Sequence, residues 1–206
     1  MTSARQIYLG SRRGPALPYD SEVEYLESTG TQYIDTGVNA KQSLKVRVVF
    51  ETNSTTTSYF VYGVRAGNST ITCASGFGTT LGYVRWGTSA YREAVPSGLV
   101  DIVQDSNGAI VNGNSYSYSA TQTVVEQSGY TMAMFAGRSS TTTVTANMVG
   151  RIYSCQIWQN GVLVRDFSPV RFTNGLGQSE GAMYDRVSGQ LFRNSGTGAF
   201  NYGNDK

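Results

Sequence analysis

Carboxylates near the start of the chain are the first residues that could do chemistry. The stretch VEYLESTGTQYIDTGV, residues 23–38, carries Glu24, Glu27 and Asp35 among tyrosines, hydroxyls and glycines. Glycoside hydrolases need two carboxyl groups that flank the sugar bond. In an extended strand alternate side chains share a face, so Glu22 and Glu24 lie together and Glu27 lies on the opposite side. We therefore interpret these acids as solvated strand residues.

The absence of histidine narrows the chemistry further. None of the 206 residues is histidine, which excludes nucleophiles activated by an imidazole and zinc sites built on histidine. The two cysteines, Cys73 and Cys155, are too few for a structural zinc site. They could form one disulfide or remain buried thiols, and the second is favoured because nothing marks the chain as secreted. We expect no enzymatic activity, no metal and no cofactor.

Other ligand motifs are weak. DSNG at 105–108 has the oxygen-rich character of a calcium loop, but its flanks are strand-like, so a hairpin turn is predicted. GFGTTLG and GLGQSEG miss the spacing of a phosphate-binding glycine loop. A net charge of +2 does not indicate a nucleic-acid partner. No apolar run approaches the roughly 18 residues of a membrane helix, so no membrane insertion is expected.

Aromatic residues interleaved with arginines are the most promising binding feature. They occur in YFVYGVRAG at 59–67 and GYVRWGTSAYRE at 82–93. Aromatic faces stack on sugar rings, and arginine forks donate to hydroxyls or acidic groups. The alternative is that the aromatic rings pack between sheets with the arginines at the edge. If they are exposed, the candidate glycan contacts are Tyr62, Arg65, Tyr83, Arg85, Trp86 and Tyr91.

From Val23 onward the hydrophobic period is two, which indicates strands. SLKVRVVFE at 43–51 places Leu44, Val46, Val48 and Phe50 on one face. No stretch sustains a helical period over three turns. Many short strands separated by turn residues predict an all-β fold, a two-sheet antiparallel jelly-roll sandwich over residues 21–206.

Several residue pairs predict the turns of this fold. Asn107-Gly108 and Asn112-Gly113 are pairs that type I′ turns favour, because both central residues need positive φ. Further hairpins are predicted at Asn160-Gly161 and around Ser188-Gly189. In the strand before Asn160, the alternation places Tyr153, Cys155 and Ile157 on one side and Trp158 on the other.

Residues 1–20 form a separate N-terminal extension in this interpretation. The segment is rich in arginine, glycine and proline, and QIYLG at 6–10 could add a strand to the edge of another protein's sheet. The alternative is a disordered leader. The candidate docking residues are Arg5, Ile7, Tyr8, Leu9, Arg12 and Arg13.

Three segments carry a family resemblance. VEYLESTGTQYIDTG at 23–37, GRIYSCQIWQNGVLVRDFSPVR at 150–171 and MYDRVSGQLFRNSGTGAF at 183–200 resemble the opening and closing segments of concanavalin A-like, or laminin-G-like, jelly-roll domains from gut bacteria and their phages. The resemblance implies a sandwich that binds rather than catalyses. In phages such domains decorate virions or form fibres and attachment modules, often on glycans.

The resemblance leads to two expectations. The first is a non-enzymatic phage or prophage virion protein, a head fibre, capsid decoration or tail-associated module. It would be made in the host cytoplasm, docked on capsid or tail proteins through residues 1–20, and directed toward cell-surface glycans. A homo-oligomer, with a trimer weakly favoured, would suit such a role. The alternative is a free-standing, cell-associated bacterial carbohydrate-binding module. The third hypothesis is a degenerate or unusual hydrolase.

Overall fold

The computed structural model describes residues 16–52, 59–65, 70–75, 82–87, 89–93, 98–118, 123–145 and 147–206, with the backbone alone at 74–75, 82–83 and 89–93. The described residues form strands and turns, and none of them forms a helix that could span a membrane. The strands are β1 (Ser21–Glu22), β2 (Leu26–Thr29), β3 (Ile34–Asn39), β4 (Leu44–Thr52), β5 (Phe60–Val64), β6 (Ile71–Ser75), β7 (Gly82–Trp86), β8 (Ser89–Glu93), β9 (Leu99–Gln104), β10 (Gly108–Val111), β11 (Asn114–Ser117), β12 (Thr131–Met134), β13 (Gly137–Arg138), β14 (Val144–Thr145), β15 (Val149–Gln159), β16 (Val162–Thr173), β17 (Ser179–Asp185), β18 (Gln190–Phe192) and β19 (Asn201–Tyr202).

The strands form two sheets that face each other. The larger sheet has the order β11-β10-β9-β4-β15-β16-β17-β18, with β1 beside β16 and β2 between β15 and β19. The smaller sheet has the order β14-β13-β5-β6-β7-β8, with β12 joining β5 to β3. Strand pairs are antiparallel except for a short parallel contact of β13 with β5. The predicted two-sheet sandwich is confirmed.

Strand β4 shows how the sequence pattern builds the core. Leu44, Val46, Val48 and Phe50 are buried, while the residues between them face outward, as the period-two pattern predicts. These side chains share one hydrophobic cluster with residues of the smaller sheet such as Ile71. Burial of apolar surface between the two sheets therefore holds the sandwich together.

A buried polar cluster joins the two sheets at Gln104. The Tyr62 hydroxyl of β5 donates to Oε1 of Gln104 on β9. Nε2 of Gln104 donates to the Arg85 carbonyl oxygen at 2.7 Å and to the Tyr118 hydroxyl oxygen at 3.0 Å. Burial raises the pKa of Tyr62. The amide is satisfied on both sides, which avoids the cost of an unpaired polar group in the core.

Two of the predicted turns have the geometry that their residues favour. Asn112 and Gly113, between β10 and β11, have φ of 47° and 85°. Asn160 and Gly161, between β15 and β16, have φ of 52° and 76°. Positive φ at both central residues is the property of a type I′ turn, so both predictions are confirmed.

The predicted Asn107-Gly108 turn is wrong in its position. Neither residue has positive φ, and Gly108 is the first residue of β10. The Asp105 N–H donates to the Gly108 carbonyl oxygen at 3.0 Å, and Asp105 Oδ1 accepts from the Asn107 N–H at 2.8 Å. The aspartate side chain therefore closes the turn locally, which moves its centre to Ser106 and Asn107.

The predicted faces of β15 also need one correction. Cys155 and Ile157 are buried in the core and Trp158 lies on the outer face, as expected. Tyr153 instead lies on the outer face, where its hydroxyl donates to Glu51 Oε2 at 3.0 Å. The register shifts between Ile152 and Ser154, so Tyr153 is the extra residue of a β-bulge, which reverses the alternation.

Both cysteines are free and buried, as the favoured prediction had it. Cys73 lies on β6 of the smaller sheet and Cys155 on β15 of the larger one. Burial raises the pKa of Cys73 to about 12 and also raises that of Cys155. Both thiols therefore stay protonated at neutral pH and act as small core residues.

Tyr19 and Asp20 attach the start of the described chain to the larger sheet. The Tyr19 ring packs against Tyr184 with a centroid distance of 4.9 Å. The Asp20 N–H donates to the Arg171 carbonyl oxygen at 2.9 Å. Tyr19 covers a second, small apolar cluster around Val170. Tyr19 and Asp20 therefore pack on the larger sheet, whereas the candidate docking residues Arg5, Ile7, Tyr8, Leu9, Arg12 and Arg13 lie outside the described residues.

The three family-like segments are neighbours in space. Strand β2 of the first pairs with β15 of the second. The loop after β18 packs on the first segment, where Asn194 Oδ1 accepts from the Tyr33 N–H at 3.2 Å and the Thr197 N–H donates to the Thr31 carbonyl oxygen at 3.2 Å. A Cβ atom on Gly196 would lie 2.0 Å from that Thr31 oxygen. The loop can approach this closely only because residue 196 is glycine.

Substituting Gly196 tests this close packing. Gly196→Ala should lower the free energy of unfolding by about 1–3 kcal/mol, because the methyl group forces backbone apart. Gly175→Ala is the matched control, since a Cβ there meets nothing within 4 Å, and it should stay within about 0.5 kcal/mol of wild type. Urea denaturation measures both. Equal stability of the two variants would contradict the proposed packing.

Candidate functional site

Three chain segments meet at one end of the larger sheet. They are the β9–β10 turn at 105–107, the β15–β16 turn at 160–161, and residues 42–43 before β4. They meet because β4 pairs with β9 on one side and with β15 on the other. The Asn160 N–H donates to the Ser43 carbonyl oxygen at 3.1 Å, which ties two of the segments together.

Trp158 and Lys45 lie on the outer face at this end of the sheet. They are direct cross-strand partners in the β4–β15 ladder, and the Lys45 Nζ atom stands 5.3 Å from the centroid of the indole ring. Their neighbours Leu44 and Ile157 face the core. Trp158 is half-buried and Lys45 is exposed. The contact is a cation–π interaction that leaves the ammonium donors available to a ligand.

Two adjoining recesses open at this place. The first has a volume of about 370 Å³ and includes Gln42, Ser43 and Trp158 in its lining. The second has a volume of about 230 Å³ and includes Val103, Ile110 and Ser115. Three residues line both recesses, so they form the ridge between them: Lys45, Asp105 and Asn107.

Lys45 has no ion-pair partner among the described residues, unlike two arginines on the same face. Arg47 is paired with Asp101 through contacts of 3.0 and 2.7 Å. Arg151 is paired with Glu27 at 3.1 Å. Among the ion pairs of the described residues none includes Lys45. The site thus offers an aromatic ring, a cation, a carboxylate and amides, a set that suits a polyhydroxylated ligand.

Two of the sequence-predicted contacts lie in the core. Tyr62 is 1% exposed and Trp86 is 0% exposed, so neither ring is presented to solvent, and for these two residues the alternative of packing between the sheets holds. All five residues of β5 are buried, which removes the alternation that would have revealed its orientation. Within the part of the chain that the structure describes, the Trp86 indole N–H has no hydrogen-bond partner.

Of the other four predicted contacts, the structure describes the side chains of two, Arg65 and Arg85. Arg65 is exposed, and Arg85 is half-buried with its Nε donating to the Gly87 carbonyl oxygen at 2.9 Å; their role in binding stays a prediction. The side chains of Tyr83 and Tyr91 lie outside the described residues. The structure therefore does not bring the predicted set together as one surface.

Three carboxylates of the first strands, Glu22, Glu27 and Asp35, form ion pairs. Glu22 accepts from Arg186 at 2.8 Å through both oxygens, which lowers the pKa of that carboxyl group. Asp35 accepts from the buried Arg138 at 2.5 Å. Glu27 pairs with Arg151. These contacts agree with strand acids, and the described residues contain no cluster of metal-ligating side chains.

Sequence reasoning located Trp158 on the opposite side from Cys155 but did not choose it as a site residue. The alternation of β4 also placed Lys45 outward. The missing information was the register between the two strands, which makes these residues partners across 113 positions of chain from Lys45 to Trp158. Asp105 and Asn107 lie beside Lys45 and Trp158 because the β9–β10 turn is centred on Ser106 and Asn107 rather than on the predicted Asn107-Gly108 pair.

Comparison with known proteins finds similarity of fold. No family model matches the chain, and no curated protein matches its sequence. Among solved structures, the chain is similar to a "putative carbohydrate binding protein" from Bacteroides ovatus, with a TM-score of 0.59 and 13% identity. The likeness covers 89% of this chain and 60% of the neighbour's chain. This chain therefore spans less than two thirds of the neighbour's length. The similarity supports the β-sandwich.

Proposed function

We propose that this protein is a non-enzymatic carbohydrate-binding module that takes its ligand at the Trp158 recess. The observation that carries the proposal is the outward-facing Trp158 with Lys45 over its ring, at the mouth of a recess lined by hydroxyl and amide side chains. The solved neighbour with a carbohydrate-binding name adds support from the same fold. Fold likeness alone would not identify a ligand.

The chemistry of the recess suits a sugar. The C–H face of a pyranose ring is apolar and can pack on the indole, as aromatic residues commonly do in binding sites. Its hydroxyl groups both donate and accept hydrogen bonds. Lys45 supplies donors, Asp105 supplies an acceptor, and Asn107 can supply both. A sugar that lies on Trp158 would therefore meet a partner for each kind of hydroxyl contact.

Absence of catalysis is part of the proposal. Glycoside hydrolysis uses a pair of carboxyl groups on either side of the scissile bond. Asp105 is the carboxylate that lines both recesses, and one of its oxygens already accepts from the Asn107 N–H. The site is accordingly equipped to hold a glycan and lacks the second acid that hydrolysis needs among the residues lining it.

A glycan array followed by calorimetry on the best ligand tests the binding site. Trp158→Ala should weaken binding at least about tenfold, the equivalent of 1.4 kcal/mol, because the ring's packing surface is lost. Trp158→Phe should retain part of the affinity. Tyr153→Ala is the matched control: it removes an aromatic residue from the outer face of the same strand, away from the recess, and should leave affinity unchanged.

Two results would contradict the proposal. An array on which no glycan binds would remove the function itself. Binding that survives Trp158→Ala but is lost in Arg65→Ala or Arg85→Ala would move the site to the smaller sheet. Thermal denaturation of each variant separates loss of binding from loss of folding.

We further propose a virion role for the segment before Tyr19, as the sequence resemblance suggests. Tyr19 and Asp20 are held on the larger sheet, whereas Ala16, Leu17 and Pro18 are exposed, Leu17 to 56%. Because residues 16–18 are exposed, the segment that they belong to can dock on capsid or tail proteins while the sandwich points away from the particle. The virion location and a homo-oligomeric state belong to this proposal.

A truncation tests the docking role. Removal of residues 2–18 keeps Tyr19 and Asp20, so the melting temperature should stay that of wild type. Incorporation into phage particles that carry the truncated gene should be abolished, as measured by immunoblot of purified particles. Normal incorporation of a folded truncation would contradict docking through this segment, and it would leave the glycan-binding proposal unaffected.

A further inference from the structure

We infer that the site holds one oligosaccharide that places a sugar unit in each recess and crosses the ridge of Lys45, Asp105 and Asn107 between them. The inference rests on the proposed carbohydrate function and specifies the ligand as an oligosaccharide rather than a single sugar. It follows from the arrangement of the second recess, which Trp158 does not line.

The second recess has an apolar floor of its own. Ile110 and Val103 are direct partners in the β9–β10 ladder and lie on the outer face of the sheet. Ile110 is 42% exposed, although its strand is paired on both sides. A patch of this kind can receive the C–H face of a second sugar ring, as the indole does for the first.

Hydroxyl groups stand beside this floor. Ser115 is the partner of Ile110 in the β10–β11 ladder, and Ser117 is the partner of Gly108. The glycine matters here, because a Cβ atom at position 108 would lie 2.0 Å from the Tyr116 carbonyl oxygen. Strand β11 can therefore lie close to β10 and bring both serines to the recess, where they can exchange hydrogen bonds with sugar hydroxyls.

The ridge is shared by both recesses and carries opposite charges that form no ion pair with each other. Lys45 and Asp105 both line the two recesses, yet no ion pair within 4.0 Å joins them. A donor and an acceptor held apart in this way can each contact a hydroxyl on either side of a glycosidic linkage. Strands β4 and β9 lie between the strands that carry Trp158 and Ile110, a separation of about 14 Å at the usual spacing of paired strands. A linear saccharide longer than a disaccharide is therefore needed to contact both floors.

Affinity as a function of chain length tests the inference. The strongest-binding glycan of the array, prepared as one, two, three and four sugar units, is titrated into the full chain by calorimetry. Affinity should rise at least about tenfold between one unit and four, because only a longer chain reaches the second recess. Ile110→Ser should remove this gain and leave the affinity for the single sugar unchanged, whereas Trp158→Ala should weaken every length.

Val162→Ser is the matched control, because Val162 is exposed to 64% on the same sheet and lines neither recess; it should bind every length as wild type does. Equal affinity for all lengths from one unit to four, or a gain with length that survives Ile110→Ser, would overturn the second subsite while the carbohydrate function stands. Failure of every array glycan to bind would overturn both.

Discussion

The pairing of β4 with β15 is the constraint on which the rest of the structure depends. Its register places Phe50 opposite Ile152 and Val48 opposite Cys155 on the core side, and Lys45 opposite Trp158 on the outer side. A slip of one residue would exchange the two faces, burying the lysine and exposing the core residues. The cost of burying an unpaired charge makes that alternative unfavourable. Core formation and presentation of Trp158 are consequences of one ladder.

The same register assembles the site from distant parts of the sequence. Because β4 also pairs with β9, the turns that follow β9 and β15 lie beside the start of β4. Neither turn has a ligand motif of its own. The combination of an aromatic ring, an ammonium group and amides arises from topology, which is how a scaffold with few charged residues can still present a polar binding surface.

Period-two alternation and turn chemistry made much of the fold predictable. The inward face of β4 and the type I′ turns at Asn112-Gly113 and Asn160-Gly161 follow from local rules. The errors arose where a side-chain hydrogen bond or a strand irregularity overrides the local pattern. A hydrogen bond to the Asp105 side chain shifted one turn, and a β-bulge reversed the face on which Tyr153 lies. Tyr62 lies on a strand whose residues are all buried. Arg85 is half-buried between the buried Val84 and Trp86, so neighbouring arginines were a misleading sign of exposure. No local pattern reports which outward residues become neighbours.

The proposed function requires that a glycan lies against Trp158 on the outer face of the larger sheet. The most direct measurement is a ¹H–¹⁵N NMR titration with the bound array glycan. It should perturb the Trp158 indole N–H and the backbone amides of Lys45 and Asn107, while the buried Trp86 indole N–H stays unchanged. Perturbations confined to the smaller sheet, or to residues around Trp86, would contradict the claim.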